Sequence, residues 1–243
     1  MNSLNLLVTS LISLWITSLT LIVPVTEKNS STNTHTSLNW SGYSSTNGPF
    51  SGVTATWVVN ALDGSGDFGI DATWVGIGGV TGSDLIQAGT QREVSGDGRV
   101  IYNAFYETLP EAARSLDIDI NANDSVTVSL NKQDQDLWQI TFTNNTTKQT
   151  LIMIKSYSSS SSSVEWIEEA ASNSHQLLPL ANFGYTHFTD AYAVKDGKIL
   201  PLQTINAYPI IMANTSGDPL AIPSDIDTDI NGFTVTQTSP LKY

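Results

Sequence analysis

The sequence of 243 residues contains no cysteine and only three histidines, His35, His175 and His187. The lack of cysteine excludes disulfide bridges, thiol nucleophiles and thiolate metal sites. A catalytic serine needs a histidine base beside it, and a zinc site without cysteine needs several converging histidines or carboxylates. His35 lies in a polar segment and the other two are twelve residues apart, so neither arrangement is recognisable. No metal and no cofactor are expected.

Positive charge is also scarce. Ten Lys and Arg residues stand against 23 Asp and Glu, for a net charge of −13. Binding to phosphates requires clustered cations, so nucleic acid is disfavoured as a partner. Charged residues make up 14% of the chain, against about 25% in a typical protein. The polar surface must therefore consist largely of Ser, Thr, Asn and Gln, which remain polar when acid protonates carboxylates.

The N-terminus is the exception to this polar character. Residues 4–25 are predominantly apolar and carry no charge, which is typical of an export signal or a membrane anchor. We therefore expect residues 1–26 to be a signal peptide or anchor and residues 27–38 to be a polar linker. The protein is predicted to be secreted or extracellular, and to contact a membrane only through an uncleaved leader. The remainder, 39–243, is interpreted as one domain with a divergent tail over 207–243.

Beyond the linker, short runs of β-branched and aromatic residues alternate with turns. Three neighbouring runs, 125–130, 137–143 and 150–155, alternate most clearly and predict adjacent antiparallel strands. Only 110–116 has the composition of a short helix, and 207–231, with three prolines, is predicted to be loop-like. Many strands at regular spacing indicate an all-β sandwich or barrel.

A run of acidic residues at 164–169 supplies the first candidate for chemistry. Strand alternation places Glu165 and Ile167 on one face and Trp166 and Glu168 on the other. A carboxyl beside apolar neighbours is desolvated, which raises its pKa and suits it to proton transfer. The alternative is that Glu165 is a solvated strand residue, and the residues alone leave both possibilities open.

Gln87 is the second candidate. Alternation places it on the same face as Leu85. A buried amide can donate hydrogen bonds to a developing oxyanion. The alternative is an ordinary surface amide with its hydrogen bonds satisfied.

A possible calcium loop occurs near the C-terminus. Asp227, Asp229, Asn231 and Gly232 follow the first half of an EF-hand loop, but the twelfth position is Thr238 rather than glutamate. An Asx-rich turn is therefore the preferred interpretation.

Several segments, taken in order, resemble the glutamic peptidases, also called the eqolisin family or peptidase family G1. The matching segments are NWSGY (39–43), VTATWVV (53–59), ATWVGIGG (72–79), LIQAG (85–89), YNAFYETLP (102–110), VEWIEE (164–169) and LANFGYTHFTDA (180–191). The resemblance therefore extends from Asn39 to about Ala193 and leaves the tail after residue 195 without a counterpart.

The resemblance implies a fold and a mechanism. The fold would be all-β, with two curved antiparallel sheets packed as a concanavalin-like or jelly-roll sandwich. Gln87 and Glu165 would be the catalytic dyad of an acid endopeptidase on its concave face. Glu165 would act as general base on a water molecule, and Gln87 would stabilise the oxyanion. Protein or peptide substrates, no metal, no cofactor and a monomeric state are expected.

The same resemblance implies that Trp74, Asn103, Phe105 and Glu107 bind substrate. Three further aromatic residues, Trp57, Tyr102 and Tyr106, would belong either to the cleft wall or to the core.

Two alternatives from other classes remain open. One is a noncatalytic sandwich that binds carbohydrate or peptide. The other is a glycoside hydrolase, which would need two closely spaced carboxyl groups.

Overall fold

A computed structural model describes residues 34–62, 68–173 and 176–238. The predicted leader, 1–26, and His175 lie outside these ranges, as does most of the predicted linker. Within the described ranges, no helix combines the length and apolar character needed to cross a bilayer.

The described part of the chain consists of short strands and one 3-10 turn, Leu202–Thr204. The strands are β1 (His35–Ser37), β2 (Trp40–Ser45), β3 (Gly52–Val58), β4 (Gly69–Gly78), β5 (Leu85–Val94), β6 (Val100–Thr108), β7 (Arg114–Ser115), β8 (Ser125–Asp134), β9 (Leu137–Asn144), β10 (Gln149–Ser156), β11 (Val164–Ala170), β12 (Tyr185–Lys195), β13 (Lys198–Pro201), β14 (Tyr208–Ala213), β15 (Pro219–Pro223) and β16 (Phe233–Gln237). The prediction of an all-β protein is confirmed.

The strands form one continuous hydrogen-bonded sheet in the order β10-β9-β8-β3-β12-β16-β15-β14-β2-β11-β4-β5-β6-β7. Neighbours in this order are antiparallel, and β1 pairs with β14 in the parallel sense. Strands far apart in the order contact each other: the Trp57 indole donates to Thr90 Oγ1 at 2.9 Å, from β3 to β5. The sheet therefore folds over itself into two packed halves, as a sandwich requires.

The main core lies between these two halves. Alternate residues of β8 and β9 are fully buried there, among them Val126, Val128, Trp138 and Ile140. Burial of apolar surface stabilises a fold by about 25 cal/mol per Å². The three strands predicted from alternation in this region, β8 to β10, are confirmed as adjacent and antiparallel.

A second apolar cluster covers the opposite face of the half that contains β4, β5 and β11. Its central members are Trp40, Trp74, Leu85, Phe105 and Ile167. Every residue of β4 and β11 is buried. We call the face that carries this cluster the outer face of the half-sheet, because it points away from the main core.

The predicted helix at 110–116 is wrong. After a turn, Arg114–Ser115 form β7, which pairs with Phe105 and Tyr106 at the end of the sheet. A segment this short cannot nucleate a stable helix alone, whereas the edge of β6 offers ready-made hydrogen-bonding partners.

The loop predicted at 207–231 is also wrong in large part. Two of its segments, β14 and β15, lie inside the sheet and, with β16, join the two halves. Pro219 and Pro223 stand at the ends of β15 and Pro209 near the start of β14. Because proline is tolerated at such positions, these residues do not prevent strand formation.

Candidate active site

The two candidate catalytic residues lie in register on neighbouring strands. Gly76 of β4 is the pairing partner of Gln87 on β5 and also of Glu165 on β11. Strands lie about 4.8 Å apart, so the Cα atoms of Gln87 and Glu165 are separated by roughly two such spacings. Both side chains project on the outer face, with a residue between them that has no side chain. Residues 78 positions apart in sequence are thereby brought together.

The space above Gly76 is narrow. A Cβ atom added there would lie 2.8 Å from the Trp74 ring and 3.1 Å from Leu85 Cδ1. Trp74 therefore lies beside the proposed dyad, but the residue itself is fully buried. Its indole donates to Glu169 Oε2 at 2.6 Å, which holds the ring in this position.

Glu165 is fully buried, and neither of its carboxyl oxygens has a partner in hydrogen-bonding geometry among the described residues; the Ser163 hydroxyl lies close enough to affect its pKa but outside that geometry. Burial raises the pKa of this carboxyl well above its usual 4.5, the nearby charge of Asp84 raises it further, and the Ser163 hydroxyl lowers it. A carboxyl with a raised pKa and free oxygens can both accept and deliver a proton.

Gln87 is 1% exposed, and among the described residues only its amide nitrogen has a hydrogen-bonding partner. Its Nε2 donates to Glu107 Oε2 at 2.5 Å, from β5 to β6. Its Oε1 has no partner among the described residues. An amide nitrogen carries two hydrogens, so the second remains available on the side of Glu165.

Phe105 and Asn103 occupy the next positions along β6. Phe105 pairs with Gly89 in the row that contains Trp74, and belongs to the outer apolar cluster. Asn103 pairs with Gln91 one row further and is partly buried. Both are therefore on the strand that carries Glu107, and their role in substrate binding stays a prediction.

The other three aromatic candidates lie in or against the main core. Trp57 and Tyr106 are buried there, and Tyr102 packs against it, with its hydroxyl accepting from the Leu62 amide at 3.1 Å. The sequence left the cleft wall and the core open for these residues, and the structure places them in or against the core.

Glu169 is a second carboxyl of β11 on the outer face, and the sequence analysis did not select it as a candidate. Burial and the charge of Glu107 raise its pKa to about 8. It accepts hydrogen bonds from Trp74 and, at 3.0 Å, from Asn39 Nδ2. The spacing of four residues from Glu165 on one strand face indicated this placement, but no signal in the sequence indicated these partners.

Sequence reasoning also missed the residues on the far side of Glu165. Ser44 of β2 pairs with Glu165, and Tyr208 of β14 pairs with Ser44. Tyr208 is 7% exposed, and burial together with the charge of Glu165 raises its pKa. Because Tyr208 lies in the tail without a counterpart and in a segment predicted to be a loop, no signal in the sequence identified it.

The possible calcium loop has another role. Asn231 Nδ2 donates to the Ala191 carbonyl at 2.6 Å, and its Oδ1 accepts from the Leu202 amide at 3.0 Å. The residue therefore ties three chain segments together. Across the described residues no group of three or more His, Asp or Glu side chains is arranged to hold a metal ion.

Comparisons with known proteins agree with the resemblance. Residues 38–236 match the Peptidase A4 family. Aspergillopepsin-2 of Aspergillus niger is 27% identical over 236 residues, which cover 87% of this chain and 77% of that protein.

Solved structures give the same result. Scytalido-glutamic peptidase, crystallised with a transition state analog inhibitor, superposes with a TM-score of 0.70 at 26% identity, covering 82% of this chain and 98% of that one. Aspergilloglutamic peptidase from Aspergillus niger gives 0.61 at 27% identity, covering 70% and 99%. The β-sandwich is thus shared with these enzymes.

Proposed function

Because the chain belongs to the Peptidase A4 family, we propose that it is a glutamic endopeptidase in which Gln87 and Glu165 form the catalytic dyad. The observation that carries this proposal is their register across Gly76 on the outer face. Each side chain has a polar atom without a partner among the described residues, and both are buried. Unpartnered buried polar atoms are costly to stability, which is characteristic of groups kept for a substrate.

The proposed reaction begins with a water molecule as nucleophile. Ionised Glu165 takes a proton from the water while the water oxygen forms a bond to the scissile carbonyl carbon. The free N–H of Gln87 donates to the oxygen that becomes negatively charged. Stabilisation of this kind contributes a factor of about 10²–10³ per donor, and general base catalysis about 10²–10⁴.

The tetrahedral species then collapses. Protonated Glu165 delivers its proton to the amide nitrogen, the C–N bond breaks, and the Glu165 carboxylate is regenerated. Burial favours this step because it raises the pKa of Glu165 and keeps the proton on the carboxyl until the leaving group accepts it. No covalent intermediate with the chain is required.

We propose that substrates are proteins or peptides and that they contact Trp74, Asn103 and Phe105. The ring side chains of this set belong to the outer apolar cluster, so apolar substrate residues would be favoured. A glycoside hydrolase is less well supported, because the residue that faces Glu165 across Gly76 is the amide Gln87, whereas retaining and inverting hydrolases use two carboxyl groups.

The location and assembly of the enzyme are also proposals. We propose export of a single domain, residues 39–243, by the apolar leader at 1–26. Expression of the full chain with N-terminal sequencing of the product in the medium tests this proposal. Protein found only in the membrane fraction would indicate an anchor. Light scattering tests the expected monomer.

The catalytic proposal is tested with a denatured protein as substrate at a series of pH values from about 2 to 8, because the raised pKa of Glu165 sets the pH at which enough of the carboxyl is ionised to act as the base. The wild type is expected to cut, Glu165→Gln and Gln87→Ala to lose about 10²-fold or more in kcat, and Glu93→Gln, a strand carboxyl at the far end of β5, to behave as the wild type. A folded wild type that cuts nothing, or a Glu165→Gln variant that cuts equally well, would overturn the proposal.

A further inference from the structure

We propose that Glu107 is a positioning residue that sets the orientation of the Gln87 amide, rather than a group that contacts substrate. This inference rests on the proposed function, since it concerns how Gln87 acts as an oxyanion donor. It replaces the substrate-binding role that the resemblance implied for Glu107.

The geometry places Glu107 on the side of Gln87 that faces away from Glu165. Gln87 and Glu107 are directly paired across β5 and β6, and Glu165 lies on the other side, beyond β4. The hydrogen bond from Gln87 Nε2 to Glu107 Oε2 is 2.5 Å long, and Glu107 is only 3% exposed. In this row of the sheet, Gln87 therefore separates Glu107 from the position that the scissile carbonyl would occupy.

The chemistry of the two groups makes the contact directional. A free glutamine amide can rotate by 180° and exchange its nitrogen for its oxygen at little cost, because the two ends have the same shape. An ionised carboxylate only accepts hydrogen bonds, so it favours the nitrogen of Gln87 on its side. When Glu107 is ionised the bond is also charge-assisted, and its burial away from water strengthens it.

Fixing the amide has a consequence for the reaction. With one N–H committed to Glu107, the amide plane is set, and the second N–H and Oε1 point in defined directions. Stabilisation of an oxyanion depends on donors that are aimed before charge develops. Without Glu107 the amide would sample orientations in which Oε1, a second negative pole, faces the oxyanion. Loss of the contact should therefore lower kcat and leave KM nearly unchanged.

The test uses a double-mutant cycle on the full-length protein with a denatured protein substrate. Four enzymes form the cycle: wild type, Glu107→Leu, Gln87→Ala and the double variant. Glu107→Leu removes the acceptor while keeping a side chain of similar size. Glu107→Gln is the conservative variant, because its amide oxygen can still accept from Gln87 Nε2. Glu93→Leu is the matched control on the same strand as Gln87.

The expected result has three parts. Glu107→Leu loses on the order of tenfold in kcat with KM within about twofold, while Glu107→Gln, whose amide can either accept from Gln87 or donate to it, loses less than Glu107→Leu. In the Gln87→Ala background, Glu107→Leu causes no further loss, because a residue that acts through Gln87 has nothing left to position. Glu93→Leu keeps wild-type kcat.

Two outcomes would overturn the inference and leave the proposed function intact. In the first, Glu107→Leu lowers activity by the same factor with and without Gln87, as a direct substrate contact would. In the second, Glu107→Leu cuts as fast as the wild type while Gln87→Ala does not. If Glu107→Leu does not fold, judged by circular dichroism, the cycle is run with Glu107→Ala, which also removes the acceptor, and the same criterion of additivity applies. An inactive, folded wild type would instead refute the proposed function.

Discussion

Strand β11 carries acidic residues on both faces, and the hydrogen-bonding partners of these residues differ between the two faces. On the core face, Glu168 accepts hydrogen bonds from Thr73 at 2.7 Å and Thr186 at 2.8 Å, and lies 3.3 Å from Arg92 Nη2. On the outer face, Glu165 has no hydrogen-bonding partner among the described residues. Both residues are fully buried.

This difference indicates a structural role for Glu168 and is consistent with the proposed catalytic role of Glu165. Arg92 also pairs with buried Asp71 through two hydrogen bonds, so Glu168 belongs to a hydrogen-bonded network with a cation; burial and Asp71 raise its pKa overall, although Arg92 lowers it. A buried charge is stable only when it is paired and hydrogen-bonded. No cation of the described residues pairs with Glu165, and burial favours its neutral form, which can exchange a proton. The same strand therefore holds one glutamate for stability and another for the proposed chemistry.

The largest expected effect separates the two faces by activity. Glu165→Gln should lower kcat by about 10³-fold, because the general base is lost, while Glu168→Gln should stay within a few-fold of the wild type where it remains folded. Rates with a denatured protein substrate check this. Equal losses in the two variants would mean that the faces do not differ in function.

The next largest effect is a difference in stability between variants on the core face and variants on the outer face. Arg92→Met leaves Asp71 and Glu168 buried without their cation, and breaking a buried ion pair costs about 3–5 kcal/mol. Glu165→Gln, which removes no partner, should change the free energy of unfolding by less than about 1 kcal/mol. Urea unfolding at a pH near 7 measures both. A small effect of Arg92→Met on the free energy of unfolding would show that the network of Arg92, Asp71 and Glu168 contributes little to stability.

The pH dependence of stability should reflect the buried carboxyls of both faces. Burial raises the pKa of Glu165, Glu168 and Glu169 above the usual 4.5, to about 8 for Glu169. The unfolded chain releases these protons near pH 4.5 but the folded chain retains them to higher pH. The free energy of unfolding is therefore largest below pH 4.5 and falls as the pH rises towards 8, by a few kcal/mol for Glu169.

Thermal unfolding at a series of pH values checks this dependence. Glu169→Gln keeps an acceptor for Trp74 but cannot ionise, so its melting temperature should fall less steeply between pH 4.5 and 8 than that of the wild type. A melting temperature that rises over this range would contradict the assignment of raised pKa values.

The smallest effect should be confined to the outer face. Gly76→Ala adds a methyl group that meets the Trp74 ring and Leu85 between the proposed dyad residues. We expect kcat to fall by roughly tenfold and stability to fall by about 1 kcal/mol, because crowding a packed site is costly. Gly96→Ala is the control, since a Cβ there meets nothing within 4 Å. Unchanged kcat in Gly76→Ala would show that the space between the residues is not used.

Much of the half-sheet that carries the site was predictable. Strand alternation separated Glu165 from Glu168, and the structure confirms this separation, since Ile167 belongs to the outer cluster and Trp166 to the main core. The resemblance selected Gln87 and Glu165, and their shared register with Gly76 supports the proposal that they act together. Local patterns succeed here because each strand is buried on a defined face.

The errors share a physical cause. Residues 110–116 and 207–231 have compositions that favour a helix and a loop, yet both contain strands. In each case the hydrogen-bonding partner is remote in sequence: β6 for the first and β2 for β14. Local propensity does not report on a hydrogen-bonding partner that becomes available only in the folded sheet.

The amino-acid sequence by itself determined the class of the fold, the faces of its strands and, through resemblance, the two residues proposed for the chemistry. Only the tertiary structure decided which groups those residues meet: Gly76 between them, Glu107 behind Gln87, and Ser44 and Tyr208 beside Glu165. The reason is that side-chain alternation depends on the backbone of one strand, whereas register between strands depends on contacts made across the whole sheet.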